Sequence, residues 1–95
     1  MPFAIITTTN ARKDIQQAID WENTRSLNLG ERFLEYLNQK LLALSFTPLI
    51  GSIRYENVRC TTTDVFQYLI HYLVDEQLQQ IIVIRVLHTK QKPIW

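Results

Sequence analysis

Residues 65–93 read VFQYLIHYLVDEQLQQIIVIRVLHTKQKP. Two apolar runs flank a polar, acidic link. In the first run Phe66, Tyr68, Ile70, Tyr72 and Val74 recur at every second position. That period predicts a strand over 66–74 with these five side chains on one face. The second run, Gln80 to His88, predicts another strand. Its centre, Ile81-Ile82-Val83-Ile84, is apolar at consecutive positions, which places it inside a sheet. The link Asp75-Glu76-Gln77-Leu78 is short, so the two strands pair antiparallel.

Upstream, Arg54 to Thr61 reads as one more strand, joined to the next by Thr62-Thr63-Asp64. The first half has a helical period instead. Ala11, Ile15, Ala18, Ile19 and Glu22 form one stripe, apolar up to its last member, with Thr9 or Asn10 as N-cap. Ser26-Leu27-Asn28 interrupts that helix, and Asn28 with Glu31 has capping-box spacing. A second helix carries Phe33, Leu34, Leu37, Leu41 and Leu44 and stops before Pro48. So short a connection makes an antiparallel helical hairpin. Phe3 to Thr8 is a short, branched first strand. The fold class is therefore α+β, in the order β-α-α-β-β-β. The helical hairpin lies on one face of a mainly antiparallel sheet with strand order 1-4-3-2.

Strand parity sorts side chains to faces. Val58, Cys60, Ile82, Ile84 and Val86 join the aromatic strand's inner set. Tyr55, Asn57, Arg59, Leu69, His71, Leu73, Ile81, Val83, Arg85 and Leu87 take the other face. Leu69, Leu73, Ile81, Val83 and Leu87 would then form an exposed apolar patch of the kind that binds partners. Alternatively the C-terminal Ile94 and Trp95 fold over it. Arg59, Arg85 and His71 converge on the same face, where two guanidinium groups suit a phosphodiester. In the other reading each arginine pairs with a nearby acid or stacks on Tyr55.

The 95 residues suit one domain, spanning 1–95, whose small core leaves room for a partner to add stability. Ten Lys/Arg against nine Asp/Glu give a net charge of +1, which predicts neither nucleic-acid nor membrane attraction by charge alone. The single cysteine, Cys60, excludes an internal disulfide and fits a reducing cytoplasm. No secretory signal and no membrane-length apolar run is expected. Cys60, His71 and His88 lack zinc-ligand spacing, so no metal and no cofactor is expected. Parity buries Cys60 as a small hydrophobe. The acids Asp14, Asp20, Glu22, Glu31 and Glu35 are expected mostly in solvent. Trp21 sits beside the apolar stripe of the first helix.

These features together resemble the RelE/ParE superfamily of bacterial toxins. The element order carries the resemblance, with the hairpin ending LSFTP (44–48), the run RYENVRC (54–60) and the quoted 65–93 stretch. The resemblance implies the toxin half of a type II toxin–antitoxin pair. Its cognate antitoxin wraps the toxin with a helix and an extended segment, and Trp21 is a candidate contact. One branch cleaves mRNA on the ribosome without metal, because the RNA 2′-hydroxyl is the nucleophile. In that branch Arg59 would bind the scissile phosphate, Arg85 would stabilise developing charge and His88 would protonate the leaving oxygen. Lys90 and Lys92 would anchor RNA. Glu56 as general base is disfavoured by its parity. The other branch poisons DNA gyrase without catalysis, and a third alternative is an inactive family member that retains only antitoxin binding. The isoelectric point near 7.9 and a tail without tyrosine favour that second branch.

Overall fold

The structure, a computed structural model, describes residues 2–90. Its elements run β1 (Ala4–Thr7), α1 (Thr9–Arg25), α2 (Leu29–Phe46), β2 (Ser52–Tyr55), β3 (Val58–Thr62), β4 (Tyr68–Asp75) and β5 (Gln80–His88). The described strands form one sheet in the order β1-β5-β4-β3-β2. β1 pairs parallel with β5, and the other neighbours are antiparallel. The α+β class and the relative order of the expected strands agree with the sequence reading. Lys92, Ile94 and Trp95 lie outside the described residues, as does the expected cover by the tail. No described helix is long and apolar enough to cross a membrane.

The segment read as one strand over 54–61 is a hairpin. Glu56 and Asn57 both take positive φ, 43° and 66°, and Tyr55 pairs with Val58 across them. Two successive left-handed residues make a tight hairpin turn that matches the strand twist. Asparagine tolerates that conformation, but no Asn-Gly or Asp-Gly pair announces it.

Helix ends also differ from expectation. Thr8 caps α1, its hydroxyl accepting the Ala11 amide at 3.1 Å. Asn28 is left-handed and makes no side-chain cap. The Asn23 side chain of α1 instead accepts the Gly30 amide at 2.8 Å. One helix therefore satisfies the start of the other.

The core joins Phe33, Leu37, Leu41 and Leu44 of α2 and Ala11 and Ala18 of α1 to Tyr68, Ile70, Tyr72, Ile81, Val83 and Val86. A bulge in β5 decides which residues enter. Tyr72 pairs with Val83 but His71 pairs with Arg85, so Ile84 has no partner on β4. An inserted residue flips the alternation beyond it. Ile81 and Val83 before the bulge, and Val86 after it, therefore all face the helices. Ile81 and Val83 are fully buried there, which corrects their expected place on the open face.

Candidate functional site: a cleft between α1 and the end of β5

β1 stops at Thr7, so the edge of β5 beyond Val83 must find other partners. Thr8 supplies two contacts, its amide to the Val83 carbonyl at 3.0 Å and its hydroxyl to the Ile84 carbonyl at 3.2 Å. α1 supplies the next. Asp14 accepts the Val86 amide at 3.0 Å and holds Arg85 through both oxygens, at 2.7 and 3.1 Å. Asp14 is 8% exposed, against the expectation of a solvated acid. A bidentate, charge-assisted pair of this kind is strong and directional. The Asp14 carboxylate holds the Arg85 guanidinium even more firmly protonated than usual.

Two turns along α1, Glu22 is completely buried. It takes a hydrogen bond from the Tyr68 hydroxyl at 3.1 Å and an ion pair from Arg25 at 3.0 Å. Burial, then the Glu22 hydrogen bond, push the Tyr68 phenol well above its ordinary range, so it stays a donor. His88 packs edge-on against the Tyr68 ring at 5.1 Å. Its Nδ1 accepts the Lys90 amide at 3.1 Å, which leaves Nε2 carrying the proton of the neutral ring.

These groups line a cleft of about 820 Å³ between α1, the 65–67 turn and the end of β5. Trp21, Arg25, Gln67, His88 and Lys90 contribute to its walls, and Trp21 is 59% exposed. Val65 stands at the rim with φ of 73°, in a three-residue turn closed by the Phe66 amide on the Asp64 carbonyl at 2.8 Å. Positive φ on a branched residue is a strained arrangement that clusters at working surfaces. Both acids at the cleft are already bonded to arginines, so the remaining polar character comes from donors and cations.

Arg59 and Arg85 do not converge. Arg59 pairs with Tyr72, on the helix-facing side. There it donates to the carbonyls of Leu49 and Gly51 at 3.1 and 2.7 Å. Arg85 pairs with His71 on the other face and ends on Asp14. Of the three groups expected to handle a phosphodiester, His88 alone lines the cleft. Lys90 lines it too, and Glu56 sits exposed in the β2–β3 turn.

The parity of β3 is also reversed. Cys60 pairs with His71, away from the helices, because the tight hairpin sets a register the sequence conceals. Cys60 is 4% and His71 1% exposed all the same. The Tyr55 hydroxyl lies 3.0 Å and the Cys60 sulfur 3.6 Å from His71 Nδ1. Burial, then the Arg85 charge, push the His71 pKa down, and burial pushes the Cys60 thiol up. Such a thiol is a packing group and a poor nucleophile. On this face Leu69 and Leu73 are half-buried and Leu87 is 9% exposed. The expected five-residue open patch is therefore absent.

Asp14, Glu22, Arg25 and Tyr68 form the cleft's polar framework, and none was singled out for it from the sequence. The only signal was Glu22 closing an otherwise apolar stripe.

A small α+β scaffold, with a helical hairpin on a sheet of this order, defines the toxin class the sequence resembles. The family model of the ParE toxin of the type II toxin–antitoxin system parDE matches residues 5–93, and the chain belongs to that family. No curated protein matches it. Solved structures share the fold. The chromosomal ParDE system of P. aeruginosa aligns over 93% of this chain and 97% of that one, at 13% identity and a TM-score of 0.80. The RelBE2 toxin–antitoxin complex of Mycobacterium tuberculosis covers 93% and 99%, at 24% identity and 0.69. The intact E. coli RelBE complex covers 94% and 99%, at 18% identity and 0.72.

Proposed function

We propose that this toxin acts by binding a macromolecular target, DNA gyrase, without cutting nucleic acid, and that a cognate antitoxin neutralises it. The carrying observation is the fate of the two arginines. Arg59 is spent on backbone carbonyls and Arg85 on Asp14, so neither guanidinium is poised on a phosphate. The near-neutral charge supports the same reading, because ribosomal RNA is bound chiefly through neutralised phosphates. The ParE family match and the solved complexes of similar fold support the antitoxin partner.

Ribosome-dependent mRNA cleavage is the second reading. It is favoured by His88 standing in the cleft with Arg25 and Lys90. In it a proton would pass from the His88 imidazole to the leaving oxygen after 2′-hydroxyl attack.

The test sets both activities side by side. Toxin released from its antitoxin is added to a gyrase supercoiling reaction and, separately, to a translating extract with primer-extension mapping of a defined mRNA. Inhibited supercoiling with intact mRNA is expected. Codon-phased cuts that vanish in His88→Ala, with gyrase unaffected, would overturn the binding reading in favour of cleavage.

A further inference from the structure

α1 enters the cleft with two rows of side chains. Asp14, Ala18 and Glu22 recur at every fourth position and are buried, so they form a floor. Gln17, Trp21 and Arg25 repeat the same spacing one row over, all exposed, and form a wall. The rise from Gln17 to Arg25 is about 12 Å, the length of roughly three to four residues of extended chain. Val65 and Gln67 make the opposite wall, both exposed and both with positive φ. The floor acids are already neutralised, Asp14 by Arg85 and Glu22 by Arg25 and the Tyr68 hydroxyl. Arg25 still keeps 57% of its side chain in solvent. The Lys90 amine is exposed and has no partner among the described residues. With each acid matched to one arginine, Lys90 is the cationic charge left over in the described lining.

We propose that this trough receives a short extended segment of the target protein, one that bears an apolar side chain next to one or two carboxylates. The apolar side chain lies between Trp21 and Val65, and the carboxylates meet Arg25 and Lys90. The inference rests on the binding reading above, which makes the target gyrase, and adds the chemistry by which it is held. Charge selects protein over nucleic acid. A groove for single-stranded nucleic acid tracks the backbone with a run of cations. Here two carboxylates lie in the floor and one lysine is left over, a balance that fits one or two acids and not a run of phosphates. The side chains suit a protein contact as well. Tryptophan and arginine dominate binding energy where a partner desolvates them, and Trp21 has Arg25 one helical turn beyond it, both standing in water. The frame is prepared, because the floor is already bonded and little has to reorganise on binding. The length suits a local contact of a few residues, far shorter than the wrap by helix and extended segment implied for an antitoxin.

The test compares full-length toxin, freed from antitoxin, with three variants, both in gyrase supercoiling and in direct binding to immobilised gyrase. Trp21→Ala and Lys90→Glu should each weaken both by roughly tenfold or more. Lys13→Glu makes the same charge change on an exposed α1 residue outside the cleft and should act as wild type. The loss in Lys90→Glu should shrink as salt is raised. All three side chains are exposed, and unchanged thermal melts would verify each fold. Gln67→p-benzoylphenylalanine should photo-crosslink to a gyrase segment that holds Asp or Glu beside an apolar residue. Inhibition that survives both Trp21→Ala and Lys90→Glu overturns the inference and leaves the binding reading standing. So does an equal loss in Lys13→Glu, which reports charge in general. Gyrase untouched by the wild-type toxin overturns the binding reading, and this inference with it. Codon-phased mRNA cuts that vanish in Trp21→Ala would assign the trough to RNA instead. Variants that inhibit gyrase normally but escape neutralisation would assign it to the antitoxin.

Discussion

Asp14 does three jobs with two oxygens, and each is visible as a bond: one to Nε of Arg85, one to its terminal nitrogen and one to the Val86 amide. Asp14→Ala should therefore destabilise the protein by about 2–3 kcal/mol, because a guanidinium and a backbone amide lose their partner together. Arg85 retains some solvent, which keeps the loss below that of a fully buried pair. Urea unfolding of the variant would check it. His71 gives a pH dependence of known sign. Its folded pKa lies below the unfolded value, so the unfolded chain binds more protons as pH falls below about 6.5. Stability should be full above that pH and should decline through the window below it. His71→Gln should flatten the decline in thermal melts between pH 7.5 and 5.5. Neither role was legible in the sequence. Asp14 looked like one more helix-surface acid, because periodicity reports which face a residue takes and is blind to a stretch of strand left unpaired beside that face.

At the level of elements, the sequence carried the two helices, the aromatic strand and the closing apolar strand, since each has a long, strong period. It missed features one residue wide. The bulge at Ile84 moved Ile81 and Val83 into the core. The turn at Glu56-Asn57 split a strand and reversed the faces of Arg59 and Cys60. A one-residue change of register exchanges the whole inside and outside of a strand, so site residues assigned by parity inherit every such error. That is why Arg59 and Arg85 looked convergent. The loop between α2 and β2 is a further case. A Cβ built on Gly51 would lie 2.5 Å from the Tyr72 hydroxyl and 2.9 Å from its ring. Gly51→Ala should push the loop off Tyr72 and destabilise the fold by about 1–3 kcal/mol, measured by chemical denaturation. Tyr72→Phe in the same background should relieve part of that loss, because it removes the clashing oxygen.

The whole molecule is tied together late. β5 lies inside the sheet, between β1 and β4, although it comes after every other described element in the chain. The bond from Thr8 to Ile84 spans 76 residues. Closing so long a loop adds entropy that must be overcome before the contact rewards it, so folding should be slow for a chain of this size. Stopped-flow refolding should show β1 and α1 acquiring protection together with β5. Early protection of α1 without β5 would contradict this.

That arrangement has a consequence for a cell that makes the protein. While translation is under way, the strand on which both halves of the sheet depend has not been synthesised. A growing chain cannot assemble the cleft before β5 is made, because Val86, His88 and Lys90 lie on or just after that strand. No shorter nascent chain can therefore present the full lining of the cleft. An antitoxin already present has until β5 emerges to arrive, and a frameshift or early stop upstream of β5 yields a product without the strand that joins β1 to β4.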